Sequence, residues 1–272
     1  MLDWIATATG ARAARRLEHV QRLWGGYGEV FRVALDGGVA PTAIVKCVQP
    51  PAHARATASD RRKRHSYDVE TAFYRDRAPR CDETCRVAKL YASRVTDDRW
   101  LLVLEDLDAA GFTGRRDDAH GAAMTACLRW LARFHARFIG EPCEELGTYW
   151  HLATRLDELS AIADPALRSA APILDAQLRA ARFQTILHGD PKEANFCFTR
   201  DGSAVAAVDF QYTGRGAGIR DVAYLLHGHG DPRAHLDTYF HHLGRPDVEP
   251  EWRTLFPIAV RDFERFLAGW RP

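Results

Sequence analysis

The stretch Leu187-His188-Gly189-Asp190-Pro191-Lys192-Glu193-Ala194-Asn195, followed by Ala207-Val208-Asp209-Phe210-Gln211, decides how this 272-residue chain is read. Two short strands, Thr185 to His188 and Val205 to Phe210, are expected to deliver these residues. Moving a phosphoryl group from a nucleotide to an alcohol takes a carboxylate to orient and deprotonate the hydroxyl, oxygen ligands for Mg2+ and a cation for the transferred group. One loop of the form H-x-D-x-K-x-x-N supplies all three. Asp190 is the expected base, Lys192 the cation and Asn195 a metal ligand, with Asp209 at the end of the next strand as the second ligand.

The joined signature resembles the aminoglycoside phosphotransferase/choline kinase-like branch of the protein-kinase fold, and small-molecule kinases similar to ecdysteroid kinases stand nearest. The resemblance implies an α+β, bilobal protein-kinase-like fold. A small antiparallel sheet with one helix would form an N-lobe over residues 1–107, a hinge would lie at 105–110, and a mostly helical C-lobe would follow over 108–272. ATP and Mg2+ are the implied cofactors, and a hydroxyl of a small molecule is the implied acceptor.

The same resemblance implies a nucleotide loop, a strand lysine, a helix glutamate and a hinge, in that order, upstream of the loop. Gly25-Gly26-Tyr27-Gly28 before Glu29-Val30 fits a loop whose glycines let the backbone approach phosphates, and suits a plain hairpin turn equally well. In Ala43-Ile44-Val45-Lys46 the neighbours Ile44, Cys47 and Val48 imply a buried strand on which an unpaired Lys46 would be costly. Glu70, in a helix with Phe73 and Tyr74, is the assigned partner, with Asp68 a weaker substitute. Leu102-Val103-Leu104-Glu105-Asp106-Leu107 resembles the hinge, where backbone groups around Glu105 and Leu107 would read the adenine. Downstream, Asp221 in Gly218-Ile219-Arg220-Asp221 is expected to brace the catalytic loop through backbone hydrogen bonds, and His188 to order that loop without being the base. Lys192 follows the protein-kinase form of the loop where many aminoglycoside kinases carry His, and Gln211 replaces the glycine of D-F-G; neither change removes a metal ligand.

Working outward, three antiparallel strands are expected at His19–Leu23, Glu29–Leu35 and Thr42–Val48. Pro50 to Arg64, with its run Arg61-Arg62-Lys63-Arg64, reads as a solvated linker or helix start, and Tyr67 to Arg77 as a short helix. Two more strands follow at Val87–Ser93 and Trp100–Leu104, then a long helix at Ala122–Phe138. Residues 152–182 carry a helical pattern expected to break at Pro165 and Pro172.

Asp209 and Asp221 lie only 12 positions apart, which leaves no room for a peptide-holding activation segment, so the expected acceptor is a metabolite or an antibiotic. An antibiotic-inactivating, aminoglycoside-type enzyme and a nucleotide-binding scaffold without activity are the alternatives. Residues 140–182 and 230–272 would form the acceptor site. Their Tyr149, Trp150, Tyr239, Trp252 and Trp270, with acids Asp157, Glu158, Asp231, Asp237, Glu249, Glu251 and Asp262, could hold a cationic amine but suit helix packing and solvated faces better.

Composition sets the outer limits. With 46% hydrophobic and 27% charged residues the chain can fold around a core, and 37 Lys+Arg against 36 Asp+Glu give no charge excess to draw a nucleic acid. No apolar run suffices for a membrane helix and no leader opens the chain, so a cytoplasmic protein is expected. Of its six cysteines, Cys47, Cys127 and Cys197 sit singly in apolar stretches, which fits a reducing compartment, and neither Cys81/Cys85 nor the His227, His229, Asp231, His235 group reads as a metal site. Lysine occurs only at 46, 63, 89 and 192, so two of the four fall where phosphate calls for a point charge.

Overall fold

The computed structural model describes residues 1–51 and 57–270. Two units divide the chain, Met1–Asp82 with Arg86–Gly114, and Glu83–Cys85 with Arg115–Pro272.

The first unit is built on a five-stranded antiparallel sheet of β1 (Ala14–Arg22), β2 (Gly28–Leu35), β3 (Thr42–Val48), β4 (Leu90–Thr96) and β5 (Arg99–Glu105), in the order β1-β2-β3-β5-β4. Side chains alternate across a strand, so β3 divides its own between two faces. Ala43 and Val45 join Phe31, Val33, Leu35 and Val103 on one face, covered by Ile5 of helix α1 (Leu2–Thr9). Val48 packs with Leu23, Tyr67 and Trp100 on the other, beneath helix α2 (Ala58–Asp76). Tyr67, Glu70, Thr71 and Tyr74, at i, i+3, i+4 and i+7, form the buried stripe of α2.

Helix α2 starts nine residues before the expected Tyr67. Thr57 caps it by accepting from the Asp60 amide at 3.1 Å, and Arg64 pairs with Asp60 one turn along at 2.9 Å. The basic run that reads as solvated linker is therefore helix, while residues 52–56 of that stretch lie outside the described residues. Helix α1 and the early start of β1 are also additions to the expected elements, and β4 begins at Leu90 where a strand from Val87 was expected.

The second unit centres on α3 (Ala122–Phe138), whose Met124, Cys127, Leu128, Leu131, Ala132, Phe134 and His135 are all buried. Around it lie α4 (Leu156–Ser160), α5 (Pro165–Arg179), the short strands β6 (Thr185–Leu187), β7 (Phe196–Phe198), β8 (Val205–Ala207) and β9 (Gly214–Gly216), and helices α6 (Ile219–Leu225), α7 (Arg233–Leu243) and α8 (Glu249–Gly269). β6 pairs with β9 and β7 with β8, both antiparallel. Pro165 starts α5 behind an Asp164 cap, as a first-turn proline should, but Pro172 does not break it. Pro172 faces solvent between the buried Ala171 and Leu174, so the carbonyl it fails to serve is left to water.

Burial fixes ion pairs beneath these helices. Asp262 of α8 accepts from Arg220 at 3.1 Å and Arg265 at 2.7 Å, all three nearly solvent-free. His151 sits nearby, with Nε2 3.3 Å from Asp175 Oδ1. Burial, reinforced by Arg220, Arg179 and Arg265, holds His151 down to about 3, and burial pushes the Asp175 carboxyl up. An unfolded histidine titrates near pH 6.5, so below that pH protons bind the unfolded chain first and stability is lost progressively as pH falls toward 3. Between pH 7 and 5 the wild type should lose stability by about 1 kcal/mol per pH unit through this one group. His151→Asn should lose correspondingly less in urea unfolding at the two pH values; equal losses would count against the assignment.

Candidate active site

In the first unit, the strand alternation that buries Val48 puts Lys46 on the same face, under α2. There Lys46 Nζ lies 2.7 Å from Glu70 Oε2, with both side chains buried. Asp68 takes another partner, accepting from Trp100 Nε1 at 2.7 Å. Removing either member of a buried pair leaves an uncompensated charge, at a cost of about 3–5 kcal/mol.

The glycine loop begins in a single 3-10 turn at Trp24–Gly26, with left-handed φ of 68° at Gly25 and 75° at Gly26. At Gly28 a Cβ would stand 2.1 Å from the Cys47 carbonyl oxygen, so only glycine lets the loop lie this close to β3. Tyr27 tethers the loop to α2 by donating its hydroxyl to Asp60 at 2.5 Å.

The hinge segment is clamped from β2. Arg32 Nε donates to Asp106 Oδ2 at 2.8 Å and the same guanidinium reaches Glu18 and Asp108, while Thr42 Oγ1 also donates to Asp106. The Glu105 amide donates to the Lys89 carbonyl and the Leu107 carbonyl accepts from Phe112, so these two backbone groups are engaged internally. The Glu105 carboxylate accepts from Arg86 at 2.6 Å and from the Lys89 amide at 3.1 Å, a structural use of the side chain.

In the second unit, buried β6 runs directly into His188-Gly189-Asp190. Asp221, from the first turn of α6, accepts from the His188 amide at 2.6 Å and the Gly189 amide at 3.1 Å. Its Oδ2 also lies 3.1 Å from His135 Nε2, whose other ring nitrogen meets the Tyr239 hydroxyl at 2.8 Å. These bonds brace the loop as expected for Asp221, although the carboxylate serves this loop and not its own helix end. His188 is fully buried, with Nε2 3.0 Å from the Val208 carbonyl and Nδ1 accepting from the Asp190 amide at 3.3 Å. A buried ring spent on two backbone groups orders the loop. At Gly189, φ is 87° and a Cβ would meet the Tyr212 carbonyl oxygen at 1.9 Å.

Asp190 is thus presented at the end of a pinned turn, 6% exposed. Its Oδ1 accepts from the Tyr224 hydroxyl at 3.1 Å; its Oδ2 accepts from Asn195 Nδ2 at 3.1 Å and lies 3.2 Å from Lys192 Nζ. Burial pushes its carboxyl up to about 6, with Asp209 adding to the rise and Lys192 opposing it. Lys192 itself is half exposed. Tyr224 is absent from the expected site, yet it sits three residues after Asp221 on one face of a helix, a spacing visible in the sequence.

The β7–β8 hairpin brings the candidate ligands together, because Asn195 precedes β7 and the Val208 amide donates to the Asn195 carbonyl at 2.9 Å. Asn195 Nδ2 spends its hydrogens on Asp190, which leaves Oδ1 as the acceptor atom of the amide. Asp209 adopts φ of 67° and is oriented by Gln211 Nε2, which donates to Oδ1 at 2.7 Å. Among the described residues only Thr148 and Asp209 combine a side chain with left-handed backbone, and Thr148 adjoins the same loop by donating its amide to Tyr212. Such strain gathers where geometry is functional. An amide oxygen and a carboxylate are hard donors, and the pair fits Mg2+.

Of the aromatics expected at an acceptor site, Trp150, Tyr239 and Trp252 are core residues. Tyr149 is different. Half-buried, it donates its amide to the Gly189 carbonyl at 3.2 Å and packs against Tyr212 and Tyr224, with ring centroids 5.6 and 5.9 Å away.

The model of one protein family, described as the phosphotransferase enzyme family, matches residues 19–255. A search of curated proteins gives no match. Among solved structures, a putative fructosamine-3-kinase from Haemophilus somnus 129PT is similar at 14% identity, covering 96% of this chain and 90% of that one with a TM-score of 0.54. An aminoglycoside-3'-phosphotransferase of type VIII is similar at 14% identity, with 94% of each chain covered and a TM-score of 0.51. Both likenesses are of fold, and the fold they share with this chain is protein-kinase-like.

Proposed function

Because the chain belongs to the phosphotransferase enzyme family, we propose that it transfers the γ-phosphoryl group of ATP to a hydroxyl of a small molecule. The observation that supports this most directly is Asp190, buried and shared among Tyr224, Asn195 and Lys192 on a turn pinned by Asp221. Such a carboxylate orients a hydroxyl and takes its proton as the new P–O bond forms. The bond from the γ-phosphorus to the bridging oxygen breaks, ADP leaves, and the proton passes from Asp190 to water. Lys192 offsets the charge on the moving group, and its exposure leaves it free to follow that group. Lys46, held by Glu70, would take the α- and β-phosphates, and the loop of Gly25, Gly26 and Gly28 would lie against them. The Leu107 amide and the Glu105 carbonyl are the hinge groups assigned to adenine.

Asn195 and Asp209 would hold Mg2+, which would neutralise charge on the phosphate oxygens. Gln211 keeps the Asp209 carboxylate turned for that task. A small acceptor fits the short interval between Asp209 and Asp221, which holds only β9 and the start of α6.

Asp209→Ala should weaken nucleotide binding in Mg2+ on the order of a hundredfold, with little effect in EDTA, as loss of a carboxylate ligand predicts. Calorimetric titration with ATP under both conditions measures it. An unaltered Mg2+-dependent affinity would remove Asp209 from the metal site.

A further inference from the structure

Helix α6 and the chain leaving it accompany the catalytic loop. Asp221 holds the His188 and Gly189 amides, and Tyr224 holds Asp190. Beyond the helix the chain meets the loop once more, at Glu193, whose Oε1 lies 3.0 Å from His229 Nε2. Contacts from 221, 224 and 229 thus advance in step with 188–189, 190 and 193. The first two serve the base; the third falls on the stretch between Lys192 and Asn195.

That stretch has little else to hold it. Ala194 is exposed, and the half-exposed Lys192 pairs with Asp190 inside the loop. Among the described residues, His229 is the one side chain outside the loop that forms a hydrogen bond or ion pair with the side chains of 192–194. Glu193 opens the single 3-10 turn Glu193–Asn195, in which the Asn195 amide donates to the Lys192 carbonyl at 2.9 Å and the Phe196 amide to the Glu193 carbonyl. Short 3-10 turns have poor hydrogen-bond geometry, so an outside tie at the first residue bears on where the last one sits.

The tie is well placed to act. The His229 and Glu193 side chains are 16% and 14% exposed, which shields the pair from the water and salt that weaken surface ion pairs. A carboxylate only accepts, so the ring presents its hydrogen on Nε2. His229 is itself located by its amide, which donates to the Leu226 carbonyl at 3.0 Å, and by an edge-to-face contact with the His120 ring at 5.5 Å. Among the described residues no group of three or more His, Cys, Asp and Glu is arranged to hold a metal, so a metal does not account for the pair.

Resting on the phosphotransferase reading of this loop, we infer that His229 is a positioning residue: by holding Glu193 it fixes the arc from Lys192 to Asn195, and with it the proposed metal ligand. Neither His229 nor Glu193 takes part in the chemistry. Both act through Asn195 and Lys192.

The test compares His229→Leu, His229→Gln, Glu193→Leu and the double Leu variant in the full chain. Calorimetry measures ATP affinity in Mg2+ and in EDTA, and hydrogen exchange measures the Asn195 amide in the nucleotide-free protein. His229→Leu should cut the gain in ATP affinity that Mg2+ brings by about tenfold, the low end for losing support of a metal ligand, with affinity in EDTA unchanged. Its Asn195 amide should exchange about tenfold faster as the turn opens more readily. His229→Gln, which keeps an N–H donor toward Glu193, should stay within about threefold of wild type in both. Glu193→Leu should match His229→Leu, and the double variant should lose nothing more. Should His229→Leu fail to fold, Glu193→Leu carries the same expectations.

An unaltered Mg2+ response in the Leu variants, losses that multiply in the double variant, or equal losses for Gln and Leu overturn the inference and leave the phosphotransferase reading standing. Absence of any Asp190-dependent ATP turnover by the wild type is the failure of the underlying reading, and the inference falls with it.

Discussion

Asp190→Ala should lower kcat for the proposed acceptor phosphorylation by about 10³-fold while ATP affinity changes by less than about threefold. A positioned general base contributes on the order of 10²–10⁴ in rate. Asp190 is expected well inside that range because the structure invests heavily in it: a buried position, three side-chain partners, and a turn whose two preceding amides are fixed by Asp221. ATP affinity should be spared, since the groups assigned to the nucleotide are Lys46, the glycine loop and the hinge. Single-turnover kinetics separate the two quantities. Equal turnover by wild type and variant would remove Asp190 as base and favour a nucleotide-binding scaffold.

Asp221→Ala should be the most destabilising single change in the second unit, by about 3–5 kcal/mol. The side chain is fully buried and takes hydrogen bonds from two backbone amides and His135. Truncation leaves those donors without an acceptor where water does not reach, at about 1–3 kcal/mol each. Against a total stability of roughly 5–15 kcal/mol, the variant should unfold at markedly lower urea concentration. Whatever folds should also have lost most of its kcat, because the His188–Gly189 turn carries Asp190. Asp221→Asn keeps one acceptor oxygen and should fall between. A variant with wild-type stability and reduced kcat would instead place Asp221 in the chemistry.

The parts legible in the sequence are those where a short period and a demanding residue coincide. Alternation along Thr42–Val48 places Lys46 under a helix, and i, i+3, i+4 spacing from Tyr67 places Glu70 opposite it. The loop from His188 to Asn195 is readable because so many polar residues in a buried setting require partners. Missed features carry weaker signals. β7 and β9 are three residues each, too short to show a period, and β9 is Gly-Arg-Gly. The start of α2 hides in a basic run of which Arg64 pairs with Asp60, a contact that polarity alone does not reveal. Pro172 is harmless only because it faces solvent, and a sequence does not state which side of a helix that is. Trp150 and Trp252 are ambiguous between binding and packing until tertiary contacts enclose them.

The short interval between Asp209 and Asp221 has a bearing on control. Its hydroxyl-bearing side chains are Tyr212 and Thr213; Thr213 is 3% exposed and donates to the Leu187 carbonyl, and Tyr212 packs against Tyr149. Gly214–Gly216 is stitched to β6 along its length. Both hydroxyls are thus held in packed positions, unlike those of a long exposed loop. The proposed phosphoryl transfer therefore takes place beside a segment held in one packed arrangement by β6 and Tyr149.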